Sequence, residues 1–145
     1  MPDVVSTGEA FSSTDGLREV WTLTAEVAVG TALINGTRAG VAYAPSGGST
    51  RSQTIGEVTI SGIGIGGIGL DALEASVSTD GSYEFPVATA VAATGNGTAV
   101  YAVIATGRIT GLTLVLTGNT FFGVVNNPQD YVPSAAGIAC VKIGV

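Results

Sequence analysis

Short apolar segments rich in Val, Ile and Thr recur roughly every eight to twelve residues along this chain, each closed by glycine, Asn-Gly, Asp-Gly or proline. That rhythm is the mark of a sandwich or barrel rather than of alternating βαβ units, which place a long helical pattern between strands. "VWTLTAEVAV" alternates Trp21, Leu23, Ala25 and Val27 against Thr22, Thr24 and Glu26, the period of a half-buried strand. "GTALING" runs into Asn35-Gly36, a strong two-residue hairpin signal, and "TRAGVAYA" returns as its partner before the breaker-rich loop "PSGGST". "SQTIGEVTISGIGI" is a long β-prone stretch interrupted by glycine, and "LDALEASVS" fits one or two helical turns or a strand equally well. "STDGSYEFPV" supplies another hairpin turn at Asp80-Gly81, with Tyr83 and Phe85 on one face of the returning strand and Pro86 ending it. "TAVYAVIATGRITGLTLVLTGNTFFGVVNN" reads as three or four strands divided at Thr106-Gly107, Gly111 and Gly118-Asn119. "GIACVKIGV" closes the chain as a strand.

The expectation is an all-β fold: a compact antiparallel β-barrel or sandwich over residues 18–145, with a Gly/Ile-rich loop and an extended N-terminal arm at residues 1–17. A chain of 145 residues suits one domain with a real core. Of its residues 46% are hydrophobic and only 11% charged, which excludes the low-hydropathy, high-charge composition of disorder. With a mean hydropathy of +0.49, much surface is left apolar or neutral. Such surface suits either contact with a partner or a tight monomer coated in Thr, Ser and Gly.

Charge and residue type then remove function classes. The net charge is −6, and the five basic residues Arg18, Arg38, Arg51, Arg108 and Lys142 are scattered. No basic stripe replaces the counterions of a phosphate backbone, so nucleic acid is not an expected partner. No apolar run approaches the ~20 residues of a membrane span, and the N-terminus lacks the basic and apolar regions of a secretory signal. Cys140 is the sole cysteine, which rules out an internal disulfide, and its apolar flanks suit a buried small side chain. The chain has no histidine. The commonest general base, the usual activator of serine or cysteine, and the standard zinc ligand are all missing. The expectation is therefore no catalytic residue, no metal and no cofactor.

"GIGIGGIG", residues 62–69, carries the spacing G-x-G-x-x-G twice. A dinucleotide site needs those glycines to open a helix whose first amides hold a pyrophosphate. Here "LDALEASVSTDG" offers at most two turns before a hairpin. The glycines instead suit a close approach of another backbone, a bend, or a loop that orders on a partner. The carboxylate pairs Asp71/Glu74 and Asp80/Glu84 read as solvated turn acids, because no aromatic platform accompanies them as it would in a glycosidase.

Several segments in order resemble the small cement or decoration proteins of tailed-phage heads. They are "TLTAEVAVGTAL" leading to "AGVAYAP", then "GSYEFPV", "GTAVYAVIATGRIT", "LTGNTFFGVV" and "GIACVKIGV". The likeness runs from about Val20 to Val145, and the chain departs from it around residues 50–75 and in its longer N-terminus. The resemblance implies a non-enzymatic virion protein on the outer surface of an icosahedral capsid. Its partners would be the major capsid protein and copies of itself, as a homotrimer or, as the nearest variant, a dimer. A tail or fibre component is the alternative. Candidate contacts with shell or subunit are Val4, Val5 and Phe11 in the arm, and Ile63, Ile65 and Ile68 in the Gly/Ile stretch.

Overall fold

The structure is a computed structural model that describes residues 8–11, 18–66, 69–89, 95–129, 131–133 and 136–145. Among the described residues the fold is all-β, with twelve strands and no helix. They are β1 (Gly8–Phe11), β2 (Arg18–Thr22), β3 (Ala32–Asn35), β4 (Arg38–Ala42), β5 (Thr50–Ile55) and β6 (Val58–Gly64). The chain continues with β7 (Glu74–Ser78), β8 (Gly81–Pro86), β9 (Ala99–Ala105), β10 (Arg108–Thr113), β11 (Thr120–Val125) and β12 (Ile138–Ile143). Six strands form a curled sheet in the order β1-β8-β12-β11-β9-β10, and four form a second in the order β2-β7-β4-β3. β5 and β6 form a hairpin of their own. All strand pairs are antiparallel.

The main core lies where the two larger sheets face each other. Alternate residues of the six-stranded sheet supply Tyr83, Phe85, Val100, Ala102, Leu112 and Phe122, and the four-stranded sheet supplies Ala32 and Val41. Phe85 and Phe122 meet edge to face with ring centroids 5.7 Å apart, a geometry that adds attraction to burial. Both rings are fully buried, so truncating either to alanine costs about 3–5 kcal/mol in lost transfer energy and cavity.

A smaller apolar cluster covers the other face of the four-stranded sheet: Trp21, Val27, Leu33, Ala42, Ala75 and Val77, with Leu23 beside them. Glycine at position 40 makes room for it. A Cβ there would stand 2.3 Å from Val77 Cγ1 and 2.8 Å from Trp21 Cη2. The alternation of Trp21, Leu23 and Val27 thus marks which side chains this cluster collects, although the paired strand stops at Thr22. Beyond Thr22 the backbone leaves β7 and is held piecewise, with Leu23 N–H donating to the Leu73 carbonyl at 2.8 Å.

Two sequence expectations shift. Asp80-Gly81 makes a turn but closes no hairpin, because β7 belongs to the four-stranded sheet and β8 to the six-stranded one. The turn is a corner between sheets, fixed by the Tyr83 hydroxyl, which reaches Ser78 Oγ at 3.0 Å and the Asp80 carbonyl at 3.2 Å. Gly111 divides no strands either. It sits at a register shift within the β9–β10 pair, whose turn is Thr106-Gly107.

Candidate functional site

The segment after β4 builds the feature that stands apart from the two larger sheets. β5 and β6 pair through Gln53 with Ile60, Thr54 with Thr59, and Ile55 with Val58. Gly56 opens the two-residue loop at φ +64°, while Glu57 keeps a negative φ, the demand of a type II′ turn that only glycine meets cheaply. Side chains alternate along a strand, so Ile55, Val58 and Ile60 share one face with Gln53. Thr54 and Thr59 share the other, with hydroxyls 3.0 Å apart. Every residue from Thr50 to Gly62 is exposed.

The hairpin is anchored at its base by a polar knot. Ser46 is fully buried, accepts a hydrogen bond from Val27 N–H at 3.0 Å through Oγ, and lies 3.0 Å from Ser49 Oγ. Its own N–H donates to the Val27 carbonyl at 3.1 Å. Gly47 and Gly48 donate to the carbonyls of Glu74 and Ala72, and Ile65 N–H donates to the Ser49 carbonyl at 2.9 Å. The backbones run so close that a Cβ on Gly66 would lie 2.2 Å from the Ser46 carbonyl oxygen, and one on Gly47 would lie 2.3 Å from that of Asp71. Close approach thus accounts for Gly66. Gly62 and Gly69 have open space around them but take φ of +74° and +78°, where other residues are strained. No helix follows the run, since residues 69–89 form a turn and the strands β7 and β8, so no helix N-terminus faces a phosphate.

Of the sequence-predicted contact residues, Ile63 lies half-buried on β6 opposite Arg51, and Ile65 lies 40% exposed just beyond it. The two come together at the hairpin base. Phe11 falls on a different sheet: its backbone, in β1, pairs with Ser82 at the edge of the six-stranded sheet. Part of the segment predicted as an arm is therefore an edge strand beside β8. Val4, Val5 and Ile68 lie outside the described residues, as does the Phe11 side chain.

Sequence reasoning passed over Ile55, Val58 and Ile60. The signal is present in "TIGEVTI", a Gly-x loop between branched residues, beside the more conspicuous glycine run. It also passed over an outward patch on the six-stranded sheet, where Tyr101 and Phe121 meet edge to face at 6.2 Å beside exposed Val103.

The carboxylates are spread through the fold. Glu74 accepts a hydrogen bond from the Asp71 N–H at 2.8 Å, closing the turn before β7. Glu84 is half-buried and receives the Tyr131 hydroxyl, so it is not the solvated turn acid its sequence position suggests. Burial and then Glu84 push the Tyr131 hydroxyl far above its usual pKa, and the same two causes push the buried Cys140 thiol up to about 11. On the exposed flank Arg38 pairs with Glu19 at 2.6 Å and holds its carboxyl below the usual range. Among the described residues no group of three or more His, Cys, Asp or Glu could hold a metal ion. A cavity of about 90 Å³ lies between β3, the start of β10 and the loop after β2, small beside the roughly 300–1,000 Å³ of a small-molecule site. A wider open depression of about 440 Å³ forms at one end of the body, where Arg38, Asp80, Phe121 and Val145 meet.

Comparison with protein-family models, curated proteins and solved structures finds no match to this chain.

Proposed function

We propose that this chain is a structural virion protein that binds the outer surface of a tailed-phage icosahedral capsid and stabilises the mature shell. One observation carries the reading. The segments that resemble head decoration proteins supply nearly all of β4, the whole of β8, β9, β11 and β12, and the starts of β3 and β10, and with them most of the main core. The segment that departs from the resemblance, around residues 50–75, supplies the separate hairpin and runs into the start of β7. The likeness thus covers most of the main core and leaves out the hairpin, as it would if that core were the shared part and the hairpin an addition.

The physics of the role asks for little chemistry and much surface. A protein that binds the expanded shell and not its precursor adds its binding free energy to the mature form alone. Many copies act at once, so modest contacts per copy hold through avidity. The protein works as a small symmetric oligomer, a trimer at three-fold positions or a dimer at two-fold positions, against the major capsid protein. Outward apolar side chains such as Val103 and Phe121 supply contact area without proton-transfer groups. The test is composition of purified phage. The chain copurifies with heads at a stoichiometry near that of the major capsid protein, and antibody label falls on the head. Absence from virions, or label confined to the tail, contradicts the proposal.

A further inference from the structure

The projecting hairpin has a face that the chain itself leaves uncovered. Ile55, Val58 and Ile60 are 62%, 64% and 48% exposed on one side, while Thr54 and Thr59 put hydroxyls on the other. An isolated two-stranded hairpin is marginal in water, and an apolar face left open on it marks a contact site. Among the described residues its hydrogen bonds to the body lie at its base, in the knot around Ser46 and Ser49.

We propose that the hairpin is a self-association arm: its apolar face packs against the same face of the hairpin from a second copy of this chain, the two running antiparallel about a two-fold axis. Charge selects that occupant. The hairpin carries one residue of each sign, Arg51 at its base and Glu57 at its tip, so the whole excess of six negative charges lies elsewhere in the chain. Two acidic bodies therefore repel least across this element. In the antiparallel arrangement the tip of each hairpin reaches the base of the other, which sets Glu57 of one copy beside Arg51 of its mate, twice over. A self-complementary patch of this kind is what an isologous contact requires. Face-to-face packing of two small sheets also buries the Ile and Val side chains and leaves both threonine faces wet.

The inference concerns the chain alone and does not rest on its binding a shell, so the two fail separately. The test is sedimentation equilibrium of the purified full chain over a range of concentrations. Wild type associates reversibly. The triple variant Ile55→Thr, Val58→Thr, Ile60→Thr weakens the association at least tenfold, with an unchanged strand spectrum by circular dichroism. Arg51→Glu alone and Glu57→Arg alone each weaken it several-fold at low salt, and combining the two restores it. A wild type that stays monomeric at high micromolar concentration overturns the proposal. So does an association constant that the triple variant leaves unmoved, or a combined charge swap that fails to recover what each single reversal lost.

Discussion

Ser46 shows how one residue couples two parts of the molecule. Its hydroxyl takes the Val27 N–H out of water, and its backbone returns a bond to the Val27 carbonyl. Ser46→Ala leaves the Val27 donor buried without that partner, so it costs about 1–3 kcal/mol, read as a lower denaturant midpoint at unchanged slope. Cys140 gives the alkaline side of the stability curve. Its pKa rises from the ordinary 9.0 to about 11 in the fold, because burial and the nearby Glu84 disfavour the thiolate. The folded state therefore holds a proton that the unfolded chain gives up. This contribution is fully present below about pH 9 and is lost as pH climbs toward 11. The Tyr131 hydroxyl, pushed up by burial and Glu84, adds to the fall at higher pH. Urea midpoints measured from pH 8 to 11 decline, and Cys140→Ala flattens the part of the slope between 9 and 11. That burial was legible in the sequence from the apolar flanks of Cys140. The roof that Tyr131 makes over Glu84 was not, because 47 residues separate the pair.

At the scale of elements, turn chemistry was the most readable signal and sheet membership the least. The β3–β4 pair closes where Asn35-Gly36 foretold it, moved by one position, with Gly36 and Thr37 as the loop. β9–β10 closes on Thr106-Gly107, with φ of 51° and 76° at the two positions, the type I′ pattern. Threonine is β-branched and ill suited to positive φ, so Thr106→Asn relieves strain and stabilises the fold by about 1 kcal/mol. A thermal melt shifted upward by several degrees checks it, and a downward shift contradicts it. β7 could not be told from a helix by pattern. It is a strand because it lies between β2 and β4, with Ala75 and Val77 buried in the smaller cluster, a tertiary demand that overrides local propensity. The corner at Asp80-Gly81 was misread for the same reason, since a turn signal says where a chain bends and not which sheet it joins next.

For the whole molecule, the all-β architecture followed from spacing alone, because a fold of short strands needs a turn at each end of every one. The site was half legible. Ile63 and Ile65 lie at the base of the separate element, while nothing in the sequence marks the face at Ile55, Val58 and Ile60 as exposed. Apolar residues on a strand look the same in sequence whether a core or nothing covers them. The proposed docking of the body on a capsid shell is open to one decisive measurement. A single-particle map of mature heads, compared with heads from phage lacking this chain, gives a density difference. Docking predicts added density on the outer surface, repeated at symmetry-related positions, into which the six- and four-stranded sheets fit as one body. Heads identical with and without the chain would contradict it.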